Sequence, residues 1–379
     1  MFKSVLSLTL AAALGTASFG QTTLTAVPGE AASAKYASIS QEILRAIEKG
    51  NEYLKTRQNP EGYWAQPSYP ALTALAVTAY MRDPANQGKP LPEYIRKGYD
   101  FILKSQKEDG SIFNRGMSSY NTAVCMMALL AANKEEYAPA ILKGRAYLIK
   151  QQNHFAPDNP YNGGIGYGDK QAPPIADLSN TSLALEAIYY SQKLAKDGKY
   201  GEQPDLDWNA ANKEPWVSND KSQIGGFVYR PGVSSARDKK AAAFDKAEPP
   251  KAYGSMTYAG MQSLIYANVD KNDPRVKLAL KWLENSYSLD ENPGMGVQGL
   301  YYYYQAMSKA LSAMGIDTLT LENGRKVDWR DELANKLISI QKSDGSWVNT
   351  NNRWWEADPV LVTSYCVLAL EQLYHSIPR

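Results

Sequence analysis

A seven-residue phrase near the C-terminus, Gln341-Lys342-Ser343-Asp344-Gly345-Ser346-Trp347, recurs upstream in register and limits the folds open to this chain. Gln58-Asn59-Pro60-Glu61-Gly62-Tyr63-Trp64 keeps Gln, Gly and Trp at the same offsets, and Gln106-Lys107-Glu108-Asp109-Gly110-Ser111-Ile112 keeps all but the Trp. Self-similarity at a spacing of tens of residues means one supersecondary unit used repeatedly. Each such unit leaves an apolar face that only its neighbours cover.

The flanking stretches read as helices. Ser40 to Arg57 carries apolar residues at Ile43, Leu44, Ile47 and Leu54 with charges between them, the pattern of a helix packed on one side. Tyr69 to Met81 is apolar on nearly every face, the pattern of a buried helix. The unit is therefore an amphipathic outer helix, a Gln-Gly-Trp turn and an apolar inner helix. Five more pairs follow: Leu91–Ser105 with Ser118–Ala132, Glu135–Gln152 with Asp177–Ser191, Asp207–Val217 with Gly254–Ala267, Pro274–Ser286 with Gln298–Met314, and Asp328–Ile340 with Pro359–Tyr374. Their turns carry Gly62, Gly110, Gly164, Gly226, Gly294 and Gly345. The first and last inner helices are as apolar as the middle ones, whereas an open solenoid ends in polar caps. The expectation is an all-α chain, a single closed (α/α)6 toroid over residues 38–379.

Residues 1–20 have the form of a secretory signal peptide: Lys3, an apolar stretch from Val5 to Leu14, and Ser18-Phe19-Gly20 before Gln21. Residues 21–37 read as a flexible lead-in. An exported, periplasmic or extracellular protein follows, and no stretch is apolar for long enough to make it an integral membrane protein. The net charge is +2, and removing Lys3 leaves about +1, with no basic patch to argue for nucleic acid. Two cysteines, Cys125 and Cys366, and two histidines, His154 and His375, are too few for a zinc site or a His-based triad. Both cysteines read as buried thiols, with a disulfide open only if their helices pass close together. No metal and no cofactor is expected.

The Gln-x-x-x-Gly-x-Trp phrases between paired helices resemble the repeats of squalene-hopene cyclases, oxidosqualene cyclases and the β-subunits of protein prenyltransferases. Asp177-Leu178-Ser179-Asn180-Thr181, Tyr253-Gly254-Ser255-Met256-Thr257-Tyr258 and Asp290-Glu291-Asn292-Pro293-Gly294 resemble, more closely, exported single-toroid proteins called prenyltransferase/squalene oxidase repeat proteins. The resemblance implies an (α/α)6 toroid in which Gln58, Trp64, Gln341 and Trp347 are structural. It does not carry the chemistry over. The cyclase acid phrase Asp-x-Asp-Asp has only Asp205-Leu206-Asp207-Trp208 as its nearest match, on an outer segment, and neither the Asp-rich magnesium phrase nor the prenyltransferase zinc set is present.

In such a ring the inner-helix N-termini gather at one mouth and present free N–H groups. Tyr69, Tyr120, Asn121, Asn180, Tyr253, Tyr258, Tyr301, Tyr304 and Trp355 are the ligand-binding candidates there. In the run Tyr301 to Tyr304, Tyr301 and Tyr304 share a face and are expected in the cavity, with Tyr302 and Tyr303 packed elsewhere. Asp177, Glu356 and Asp358 are the catalytic candidates. Capping is the preferred reading for Asp177 and Asp358. Glu356 is first choice as a general acid, because capping does not account for it and two tryptophans beside it raise its pKa. The connection from Asn219 to Ala252 reads as a lid or a mobile insertion. Three functions compete: a hydrophobic, isoprenoid-like small-molecule ligand in the cavity, a glycan on aromatic platforms with a carboxylate pair, and a protein-interaction scaffold.

Overall fold

A computed structural model of the chain describes residues 30–156, 159–168, 176–195, 220–236 and 250–377. The signal segment and the expected fourth outer helix at 207–217 lie outside them, as do Asn219 and 237–249 of the long connection. Eleven α-helices occur among the described residues. Six are α2 (Pro70–Arg82), α4 (Ser118–Ala131), α6 (Leu178–Ser191), α7 (Gly254–Tyr266), α9 (Leu300–Met314) and α11 (Pro359–Ser376). Each packs on the next, and α11 packs back on α2, so they form a closed inner ring. Around it stand α1 (Glu30–Thr56), α3 (Glu93–Lys104), α5 (Ala138–Lys150), α8 (Pro274–Asn285) and α10 (Trp329–Ser339). A two-residue hairpin, Leu319–Thr320 against Lys326–Val327, precedes α10.

Burial follows the sequence pattern. In α7 every residue but Ile265 is buried, whereas α3 buries a single stripe of Ile95, Gly98, Tyr99 and Ile102. Each such aliphatic side chain contributes roughly 1.5–3 kcal/mol when taken out of water. The helix α1 starts earlier than the sequence pattern indicates: it is helical from Glu30, and Tyr36, within the expected lead-in, is buried with its hydroxyl donating to Asp328 at 2.6 Å. A contact 292 residues away leaves no local signature.

The repeat phrase is a fastener. The Gln58 amide donates to Gly62 O at 2.9 Å and to Tyr94 O of α3 at 2.7 Å, and Gln106 does the same to Gly110 O and to Ala140 O of α5. Gln341 donates to Gly345 O and to Ala46 O of α1, both at 3.0 Å, and so closes the ring between its last and first units. The Trp64 and Trp347 indoles donate to Leu54 O and Leu337 O of their own outer helices. A further tie escapes the sequence pattern: a buried inner-helix threonine accepts the N–H of the residue at the Trp position. It occurs five times, as Trp64 to Thr73, Ile112 to Thr122, Ile165 to Thr181, Phe227 to Thr257 and Trp347 to Thr363, at 2.8–3.1 Å. The turn glycines of the third and fourth units sit one residue earlier than expected, at Gly163 and Gly225, which hold the positive φ in place of Gly164 and Gly226. Cys125 and Cys366 are free, because α2 stands between their helices α4 and α11.

Candidate functional site: the mouth of the ring

Side chains at the starts of the inner helices touch one another, so these N-termini share one end of the ring. Asn121 Oδ1 accepts Ala71 N at 3.1 Å, and Asn292 Oδ1 accepts Ser255 N at 2.9 Å. Asn121 is fully buried and its amide nitrogen donates to Met117 O, so it joins α2 to α4 and does not face the cavity as expected.

Asp177 caps α6. Its carboxylate accepts Asn180 N at 3.0 Å, Asn180 Nδ2 at 2.7 Å and the Ser179 hydroxyl at 2.8 Å. Burial pushes its pKa up, and these hydrogen bonds work in the opposite direction. Tyr229 donates to the Tyr167 hydroxyl at 3.3 Å, and its backbone carbonyl accepts Leu178 N. The described part of the 219–252 connection is thus seated over the start of α6. Among the described residues the buried Ser119 Oγ and Asn180 Oδ1 have no hydrogen-bond partner, and both residues adjoin Tyr167.

Beside this group, Tyr120 of α4 and Tyr365 of α11 approach each other across the ring, past the intervening α2. The Tyr302 ring of α9 lies 6.0 Å from that of Tyr365. Burial pushes the Tyr120 hydroxyl up to about 12 and raises Tyr302 further. Tyr120 and Tyr302 are both half-buried, unlike their immediate neighbours on α4 and α9, which are buried.

The tyrosine run therefore faces the other way from the expectation. Tyr301 donates to Val348 O at 3.2 Å and Tyr304 to Leu289 O, both carbonyls of connecting segments, while Tyr302 turns inward. Tyr258 is likewise buried against Tyr303, ring centroids 5.6 Å apart, and does not reach the mouth. Tyr253 is at the mouth but buried among Leu178, Met256 and Met295. Sequence patterns alone do not single out Tyr167, Tyr229, Tyr302 or Tyr365. Tyr302 lies in the first turn of α9 and Tyr365 nearly two turns into α11.

Glu356 has a cap role, contrary to the expectation. It is buried, with Oε1 accepting Tyr302 N at 2.8 Å and Oε2 accepting Tyr301 N at 3.4 Å and Asn349 Nδ2 at 2.7 Å. It thus caps α9 from a segment 54 residues away, which no local pattern reveals. Its pKa is raised by burial and held back by those hydrogen bonds. Asp358 caps α11 through Val360 N at 2.8 Å, as expected. Tyr69 and Trp355 meet at the rim, ring centroids 4.8 Å apart. The far end of the ring is polar: Lys309 of α9 pairs with Glu186 of α6 across the lumen, and Arg82 of α2 donates to Gln372 of α11 at 2.7 Å. Among the described residues no group of three His, Cys, Asp or Glu stands where it could share a metal ion, and no helix is long and apolar enough to cross a membrane.

No family model matches the sequence. Among solved structures the chain is similar to the type II terpene cyclase MstE from Scytonema. The apo form superposes with a TM-score of 0.51 at 11% identity over 89% of this chain and 99% of that one. Two variant forms of the same cyclase, one with its substrate geranylgeranyl dihydroxybenzoate and one with its product merosterolic acid A, each match with a TM-score of 0.50 at 11% identity and the same coverage. The chain has the terpenoid cyclase-like α/α toroid fold. The cyclase and this toroid share an architecture at an identity that carries no residue roles from one to the other.

Proposed function

We propose that this toroid binds an elongated apolar, isoprenoid-like ligand with a hydroxyl-bearing end, the tail in the lumen of the inner ring and the hydroxyl at the mouth. The observation that carries the reading is the aromatic group on the inner helices, Tyr120 and Tyr302, both half-buried, with the Tyr302 ring 6.0 Å from that of Tyr365. Met127 of α4 and Leu183 of α6, both partly buried, add apolar surface on the same inner ring. Ser119 Oγ and Asn180 Oδ1, without partners among the described residues, suit a ligand hydroxyl, since an unmatched buried polar atom costs about 1–3 kcal/mol. The fold shared with MstE, whose structures hold a geranylgeranyl substrate, supports the same ligand class. Asp177, Glu356 and Asp358 each accept helix N–H bonds, which favours holding a ligand over donating a proton to it. We also propose that the protein is exported, with Gln21 as its mature N-terminus, which N-terminal sequencing of the secreted product tests; a product starting at Met1 would refute it.

The test is a thermal-shift titration of delipidated protein with geranylgeraniol. Binding to the folded state alone raises Tm with ligand concentration. Met127→Trp, which fills the lumen, is expected to abolish the shift. A wild-type Tm that does not move, or a shift that survives Met127→Trp unchanged, sinks the reading and leaves the scaffold as its successor.

A further inference from the structure

We infer that the rim of the ring, between the starts of α2 and α11, carries a saccharide subsite built on Trp355. This inference is independent of the lumen ligand. A recess of about 450 Å³ opens there, lined by Gln66, Leu72, Asn352, Trp355, Asp358 and Pro359. That volume is within the roughly 300–1,000 Å³ typical of small-molecule sites. Trp354 and Trp355 are 46% and 41% exposed, although large aromatic side chains are ordinarily covered. Both also adopt the left-handed backbone conformation, with φ of 55° and 64°. For bulky residues that conformation costs on the order of 1–3 kcal/mol each and persists only where surrounding contacts impose it. Those contacts are present. Gly299 lies so close under the Trp354 ring that a Cβ would come within 3.0 Å of it, the Arg353 guanidinium sits 4.7 Å from its centroid, and Tyr69 packs against Trp355. The strained turn thus presents the Trp355 indole as a supported wall of the recess.

The polar groups around that wall decide the ligand class. The side-chain amides of Gln66 and Asn352 make no hydrogen bond among the described residues, and Asp358 uses Oδ1 for Val360 N, leaving Oδ2 as an acceptor. An apolar chain lying in the recess would strip water from two amides and a carboxylate and return nothing. A peptide backbone can pair its N–H and C=O with the carboxylate and the amides, but it brings no flat C–H face to lie on the indole. A pyranose with equatorial hydroxyls satisfies both demands: its C–H face lies on the indole, and its hydroxyls, each donor and acceptor, pair with amide and carboxylate together. The ligand class is therefore an oligosaccharide of pyranose units with equatorial hydroxyls.

Isothermal titration with cellohexaose and with chitohexaose tests this. At least one is expected to bind, with affinity falling about tenfold or more in Trp355→Ala. Gln66→Ala, an exposed-edge change that leaves the ring packing alone, is expected to weaken binding too, and serves if Trp355→Ala fails to fold. Absence of heat with both sugars overturns the inference, as does affinity unchanged in both variants.

Discussion

Replacing Gly345 by alanine isolates what the repeat phrase does at the point where the ring closes. Gly345 has φ +87°, and a Cβ built there would stand 2.3 Å from Lys49 O, the backbone of α1. Two effects add. An alanine at positive φ costs about 1–2 kcal/mol wherever it occurs. Pushing a helix backbone away from a packed seam costs roughly another 1–3 kcal/mol. Gly88 and Gly324 separate the two effects, because they have φ +74° and +81° and a Cβ at either would meet nothing within 4 Å. At about 2 °C per kcal/mol for a chain of this size, Gly88→Ala and Gly324→Ala should lower Tm by roughly 2–4 °C and Gly345→Ala by roughly 4–10 °C. Differential scanning calorimetry of the three variants reads the difference directly. A Gly345→Ala drop no larger than the two controls would show that the turn does not press on α1, and the account of ring closure would fall.

Thr363→Val keeps the shape of the side chain but removes the acceptor for Trp347 N, and should cost about 1–3 kcal/mol in urea denaturation for the orphaned N–H; an unchanged midpoint would count against the threonine tie. Lys309→Met leaves Glu186 buried without its partner and should destabilise by about 3–5 kcal/mol, most of which Glu186→Gln restores in the double variant; equal stability of single and double variants would refute the pairing across the lumen. Glu371 is fully buried, neither of its carboxylate oxygens has a hydrogen-bond partner among the described residues, and burial raises its pKa well above the ordinary 4.5. A raised folded pKa means the native state holds the proton longer than the unfolded chain. The stabilising contribution is therefore complete below the unfolded value and is lost as pH climbs from there towards the folded one. Glu371→Gln should flatten that decline in a pH series of urea melts, and a decline of the same slope in the variant would be evidence against it.

Much of the architecture is legible in the sequence. The phrase at Gln58, Gln106 and Gln341 marks the unit, and the apolar inner helices, uniform from α2 to α11, require a ring that closes on itself. That follows because a helix apolar on every face has no stable surroundings except other helices, and this holds whatever the side chains touch. The part of the mouth set by local caps is legible too: Asp177 and Asp358 stand immediately before the helices they cap. Tertiary structure alone decides what depends on the partner of a face. Periodicity states that Tyr301 and Tyr304 share one side of α9, but whether that side meets the connecting segments or the lumen is set by how α9 is rotated between α7 and α11, and the rotation leaves Tyr302 facing inward. Glu356 is the sharper case. Its cap function belongs to a helix 54 residues upstream, and a hydrogen bond between segments so far apart depends on ring closure bringing them together, not on any residue beside it in the chain.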